Sequence, residues 1–285
     1  MSRLFDQTRK AQNVILEGLA PTQDSPEQWV EDLRKTSRIG QDIAEVRLAN
    51  CRKTRFANPT LTPSLANPAV AQGSAMEAYR MLRTRLMRAQ AAQGIRSIIL
   101  SSAVGNEGKT LTTFNLALAY ASLEDRRVLL IDGDLRTRAL SQFFAPNSGQ
   151  GLSDALAGEA NFADVIMATN KPNLHFVPTG EKTVPPPELY ASERWKAFLG
   201  WAGECFNVIL IDAPPIFPLS DFDLMAAATD GIVFVVRSHR THRELLQKAA
   251  AQLDSKKLLG IVYNATQNEN KKSKYNNPYI DAEAI

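Results

Sequence analysis

Ser101–Thr110 reads SSAVGNEGKT, set between the apolar run Ile95–Leu100 and a helix-patterned stretch from Leu111. Ala103-x-x-x-x-Gly108-Lys109-Thr110 has the spacing of a phosphate-binding loop, with alanine where glycine usually opens it. Each part has a chemical reason. Successive backbone N–H groups make an anion nest, and a helix beginning near Lys109 adds the positive end of its dipole. Lys109 is long enough to reach β- and γ-phosphates, and the Thr110 hydroxyl can hold Mg²⁺. Gly105 and Gly108 supply conformations that a side chain would obstruct, and Asn106 is the next most tolerant residue of the left-handed region. The bland alternative is a turn with an incidental lysine. A buried strand before the loop and a helix after it favour the phosphate cradle.

Two further stretches end in acids. VLLIDGDLR carries Asp132 and Asp134, and NVILIDAPP carries Asp212. Ligands of open parallel sheets bind at the carboxyl ends of strands, which puts these acids beside the loop. Mg²⁺ takes a few oxygen ligands, direct or through water, and a phosphoryl acceptor needs a carboxylate to take its proton. Singly, an aspartate after a strand is as readily a turn residue or a helix cap.

The elements that must position these residues alternate. IRSIIL, RVLLID, LHFVP, NVILID, GIVFVV and LGIVYN are short apolar runs, most of them separated by helical stretches. Continuous rather than alternating apolar strands indicate cover on both faces, so the expected fold is α/β: a mainly parallel central sheet flanked by helices. Residues 1–73 read as a mostly helical or flexible N-terminal extension. It holds an amphipathic stretch (Leu4, Phe5, Val14, Ile15, Leu16), a helical pattern around Trp29 to Leu48, and a proline-rich linker over 56–73. Residues 74–266 form the expected P-loop domain. The polar segment 267–285, with Tyr275 and Tyr279, reads as a flexible tail.

Composition excludes several classes. A formal charge of +3 is too small to argue for nucleic acid. Cys51 and Cys205 give neither a disulfide framework nor metal spacing, and His175, His239 and His242 lack metal spacing too. No apolar run approaches the ~20 residues of a membrane helix, and the start has no signal-peptide core, so a cytoplasmic protein is expected. VPPPELY reads as a proline-stiffened loop.

SSAVGNEGKT, VLLIDGDLR, GLSDALAGE, NVILIDAPP, LSDFDLMAAATDGIVFVVR and LGIVYN occur in an order and spacing that resembles the bacterial tyrosine kinases of capsule and exopolysaccharide export. These are a branch of the MinD/ParA-like P-loop ATPases, and the likeness spans roughly residues 74–264. It implies ATP and Mg²⁺ as cofactors, with Lys109, Asp132, Asp134 and Asp212 catalytic. It implies a nucleotide held by Gly105, Asn106, Glu107, Gly108, Lys109, Thr110 and Leu111, with Asn264 at the adenine. It gives the metal to Thr110, Asp132 and Asp212. Tyr275 and Tyr279 stand where the family carries its phospho-acceptors, beside Lys271, Lys272 and Lys274. Glu77, Arg80 and Arg83 match an E-x-x-R-x-x-R stretch that docks one subunit on the next in a ring. An inner-membrane polysaccharide co-polymerase or activator is the implied partner, holding the kinase at the membrane. Val104 falls where the MinD/ParA group carries an additional lysine. Gly105, Asn106 and Ala139 depart from the family's commoner residues. Two rivals remain: an ATPase or degenerate kinase whose nucleotide gates assembly of the export machinery, and a positioning ATPase that binds DNA or lipid.

Overall fold

The computed structural model describes residues 48, 51–57, 74–144, 149–181, 184–238 and 240–265. The amphipathic N-terminal stretch, most of the proline-rich linker, His239, and the tail with Tyr275 and Tyr279 lie outside the described residues.

The strands are β1 (Arg52–Lys53), β2 (Ser97–Ser102), β3 (Val128–Asp132), β4 (Met167–Ala168), β5 (Leu174–Val177), β6 (Val208–Asp212), β7 (Gly231–Arg237) and β8 (Leu258–Asn264). The helices are α1 (Ser74–Gln93), α2 (Lys109–Ala121), α3 (Leu152–Ala157), α4 (Pro186–Ala191), α5 (Glu193–Cys205), α6 (Asp221–Ala228) and α7 (Arg243–Gln252). All eight strands join one sheet in the order β1-β4-β5-β3-β6-β2-β7-β8. Every neighbouring pair is parallel except β4 and β5.

The central strands are apolar throughout because both faces are covered. In β3, Leu129 and Ile131 enter one core with Trp195, Phe198 and Phe222, whereas Val128 and Leu130 enter another with Phe114, Leu116 and Tyr120. Strand β6 lies between β2 and β3, which aligns their carboxyl ends. The register sets Asp132 opposite Asp212, and Leu100 opposite Asp212 on the other side. That alignment builds the site.

One edge goes beyond what the sequence suggests. Residues 51–57, ahead of the expected domain start at Ser74, pack onto the domain: β1 joins the sheet beside β4, and Phe56 makes an isolated bridge to Phe144. Phe56 stands edge-on to Phe114 at 5.5 Å and to Phe144 at 5.7 Å, while the Arg52 guanidinium donates to the Gln150 carbonyl. Strands of two residues carry no hydrophobic period, so neither β1 nor β4 was legible. Cys51 packs against the apolar cluster that contains Cys205, and the two form no disulfide. Among the described residues no helix is long and apolar enough to cross a membrane.

Candidate active site

The phosphate loop leaves β2 at Ser102 and enters α2 at Lys109, as its spacing predicts. Gly108 takes φ 89° at the helix N-cap and Asn106 takes φ 64°, both left-handed. At Gly108 a second reason for glycine appears: an added Cβ would lie 1.9 Å from Asn264 Nδ2. Gly105 differs from expectation. Its φ is ordinary, and nothing lies within 4 Å of an added Cβ, so the folded chain alone does not demand glycine there.

A bracing system that the sequence did not reveal holds this loop. Glu107 is buried. Its Oε2 accepts from the Ala103 N–H at 3.0 Å and its Oε1 accepts from the Thr241 hydroxyl. Ala103, in the place of the usual glycine, is therefore clamped by a carboxylate from within its own loop. Asn264 Nδ2 donates to the Glu107 carbonyl at 3.0 Å, and Arg237 Nη1 donates to the Asn106 carbonyl at 3.2 Å. The ends of β7 and β8 thus fix the rim. The Asn264 side chain lies against the loop, and its Oδ1 accepts from the Ala265 N–H at 2.8 Å.

Beneath the rim two of the three acids pair with one lysine, and the third, Asp132, acts on it from farther off. Lys109 Nζ lies 3.2 Å from Asp134 Oδ2 and 3.8 Å from Asp212 Oδ1. Burial opposes its charge, but Asp212 and Asp134 outweigh that and hold its pKa above the ordinary lysine value. Asp132 Oδ2 accepts from both the backbone N–H and the hydroxyl of Ser141, each at 2.7 Å. Thr113 caps the floor from α2, donating to the Lys109 carbonyl at 2.8 Å with Asp212 Oδ1 at 3.5 Å. Thr110 is half-buried beside Lys109, its Oγ1 3.5 Å from Nζ, and Leu111 is half-buried one residue further on.

Electrostatically the floor is short of positive charge, with one lysine against three acids. Burial, then the neighbouring Asp212, pushes the Asp132 carboxyl up to about 7 against the Ser141 hydrogen bonds. Burial raises Asp212 to about 6 against the pull of Lys109. Asp132 Oδ1 and Asp212 Oδ2 are buried with no hydrogen-bond partner. Orphaned carboxylate oxygens in a region short of positive charge are what a cation site looks like before its ion arrives. Among the described residues, no three His, Cys, Asp or Glu side chains form a metal cage by themselves. That suits Mg²⁺, which keeps waters and phosphate oxygens alongside one or two carboxylates.

The second acidic turn is held separately. Arg136 grips Asp221, in the first turn of α6, through two hydrogen bonds of 2.7 and 3.1 Å. The Thr137 N–H donates to Asp134 Oδ1 at 3.1 Å. Two of the three residues expected at a subunit interface are exposed on α1, where Glu77 and Arg80 pair at 3.5 Å. Arg83 instead turns inward and donates to the Ala119 carbonyl on α2 at 2.7 Å. Burial lowers the His175 pKa to about 4, and its ring meets Phe206 edge-on.

The sequence matches the CobQ/CobB/MinD/ParA nucleotide binding domain over residues 98–283. It is 31% identical over 190 residues to the tyrosine-protein kinase YwqD of Bacillus subtilis, covering 66% of this chain and 80% of that protein. It is 33% identical over 191 residues to the tyrosine-protein kinase CpsD of Streptococcus agalactiae, covering 66% of this chain and 82% of that one. The chain belongs to the bacterial tyrosine-protein kinase family. The kinase domain of Escherichia coli tyrosine kinase ETK superposes with a TM-score of 0.66 at 26% identity, over 71% of this chain and 80% of that one. Some relatives are much longer: the match spans only 25% of the putative tyrosine-protein kinase EpsB of Ralstonia nicotianae. The expected P-loop, MinD/ParA-like α/β kinase fold with its nucleotide-binding domain is thus the observed one.

Proposed function

We propose that this kinase transfers the γ-phosphate of ATP to tyrosines of its own kind, within an oligomer serving synthesis and export of a bacterial surface polysaccharide. One observation carries the reading: Lys109 pairs with two buried acids beside a third, and two of the three present oxygens with no partner. That arrangement suits a metal-bound triphosphate and has no evident purpose in a site that only packs.

Gly105, Asn106, Glu107, Gly108, Lys109, Thr110 and Leu111 supply the backbone N–H groups for the phosphates, with Lys109 adding its ammonium. Thr110, Asp132 and Asp212 are the residues to hold Mg²⁺. A bound Mg²⁺ would neutralise the triphosphate and fix its terminal oxygens for transfer. Asp132 is the acid suited to take the acceptor's proton, because it stands at the end of β3 beside the phosphate loop and one of its oxygens is unclaimed. Asp134 is occupied by Lys109 and the Thr137 amide, and holds the lysine in place. Tyr275 and Tyr279 are the proposed acceptors, presented to a neighbour in a ring built through Glu77, Arg80 and Arg83. An inner-membrane activator is the proposed partner that brings the kinase to the membrane. Asn264, bonded to the loop beneath the nucleotide, would meet the adenine side.

Incubating the full chain with radiolabelled ATP and Mg²⁺ tests this. The expected result is label on tyrosine, mapped to Tyr275 or Tyr279 and absent in Lys109→Met. Phosphate release with no labelled protein would replace the kinase with a nucleotide-gated assembly switch.

A further inference from the structure

VPPPELY, which the sequence suggests is only a stiff loop, ends beside the catalytic acids. Pro185 caps α4, with Pro186 and Pro187 opening the helix, and Tyr190 lies in its last turn. The Tyr190 hydroxyl donates to the Gly133 carbonyl at 2.6 Å, wholly out of contact with water. Gly133 is the residue between Asp132 and Asp134.

Both polar groups of Gly133 are therefore taken. Its N–H donates to the Asp212 carbonyl at 2.8 Å, and its carbonyl accepts from Tyr190. No side chain fits: an added Cβ would lie 2.5 Å from Met225 Cε and 2.9 Å from the Asp212 carbonyl oxygen. The Tyr190 ring is set by Trp195, edge-on at 5.4 Å, and the Trp195 indole N–H donates to the Met225 carbonyl at 3.3 Å. The phenol thus reaches the acidic turn from a rigid aromatic mount. Burial, followed by Asp132 and Asp134, raises the Tyr190 pKa well above its ordinary value, so it stays a donor at any working pH.

We propose that Tyr190 is a positioning residue for the magnesium–nucleotide site: its hydroxyl locks the Gly133 peptide and thereby the directions in which Asp132 and Asp134 leave the backbone. The peptide plane at Gly133 is shared with Asp134, which holds Lys109. A buried carbonyl that loses its donor must find another or rotate toward one. Gly133 lacks the Cβ that would limit such rotation, so the hydroxyl supplies the restraint that a side chain elsewhere would give. Groups one shell out from a metal site commonly govern its affinity in this way.

The inference rests on the proposed Mg·ATP site, and the test keeps the two apart. Tyr190→Phe is compared with Tyr120→Phe, which also removes one buried phenol bond (to Gln90 Oε1, 3.0 Å) but on the outer part of α2. Two readouts are taken on the full chain: amide hydrogen exchange over residues 132–137 without nucleotide, and the Mg²⁺ dependence of fluorescent ATP-analogue binding. The expected result for Tyr190→Phe is faster exchange in that turn and an Mg²⁺ half-saturation raised about tenfold. Metal-free nucleotide affinity should hold, and Tyr120→Phe should match wild type in both readouts. Unchanged exchange and unchanged Mg²⁺ dependence in a folded Tyr190→Phe overturn the proposal. Wild type that binds the analogue without any Mg²⁺ dependence overturns the functional reading instead. If Tyr190→Phe does not fold, 3-fluorotyrosine at 190, a stronger donor of nearly the same shape, should lower the half-saturation. No shift there also counts against the role.

Discussion

The rim of the site and its floor lie within a few residues of each other and are built on opposite terms. At the rim, the buried Glu107 carboxylate and the Asn106 and Glu107 carbonyls all have partners, drawn from Ala103, Thr241, Arg237 and Asn264. On the floor, Asp132 and Asp212 each keep an oxygen with nothing to bond, and both carboxyls resist ionisation. The rim is folded for its ligand in advance. The floor is left short of partners, which the proposed cation would supply, coupling its binding free energy to this spot.

Replacing Asp132 with Asn should give the largest effect and separate these terms most sharply. The amide oxygen can keep the Ser141 hydrogen bonds while the charge is gone. Phosphotransfer should fall at least about 100-fold, as for loss of a general base. Yet the ligand-free protein should gain ~1–2 kcal/mol at pH 8, the usual trade between function and stability. The pH dependence carries the same sign. Both acids have folded pKa values above their ordinary 3.8, so the native state binds more protons than the unfolded chain between about pH 4 and 7. Their contribution to wild-type stability should therefore fall as pH rises through that window and level off above it. Asp132→Asn should flatten its upper part, as read by urea midpoints at a series of pH values. A variant less stable than wild type at pH 8 would mean the floor is satisfied after all.

How much of this was legible follows the same division. The floor was written in the sequence, because VLLID and NVILID each end a buried strand in an acid and parallel register aligns such ends. Lys109, Gly108 and the left-handed Asn106 were legible for a similar reason: local spacing fixes them. The rim's braces were not. Thr241 lies 134 residues from Glu107, and Arg237 lies 131 from Asn106; no local pattern records such pairings. Ser141 and Thr113 were missed because a hydroxyl near a motif looks like any other turn or helix residue. Gly105 was read as a conformational necessity, yet neither its φ nor its surroundings in the folded chain demand glycine.

A subtler effect should follow at the rim from Thr241→Val, which leaves Glu107 Oε1 without its donor. A loop organised in advance should then pay part of its ordering on binding. ATP affinity should weaken about fivefold, equivalent to ~1 kcal/mol, with catalysis at saturating ATP nearly unchanged. Calorimetry and saturation kinetics together check this. Lost stability with intact affinity would show that the Glu107 brace serves the fold rather than the nucleotide.

The smallest effects belong to α1, where the motif expected at an interface divides between two duties. Arg83 holds the Ala119 carbonyl near the end of α2, the helix whose first residue is Lys109. Arg80 has only an exposed pairing with Glu77. Arg83→Ala should therefore lower stability by ~1 kcal/mol through a lost charged hydrogen bond near a helix C-terminus. Arg80→Ala should change it by less than ~0.5 kcal/mol, because an exposed pair three residues apart contributes little. If the motif also joins subunits, Arg80→Ala should still shift sedimentation toward smaller species at unchanged melting temperature. Equal melting and equal sedimentation for Arg80→Ala and wild type would leave α1 as an ordinary solvated helix, with Arg83 as a brace at the far end of α2.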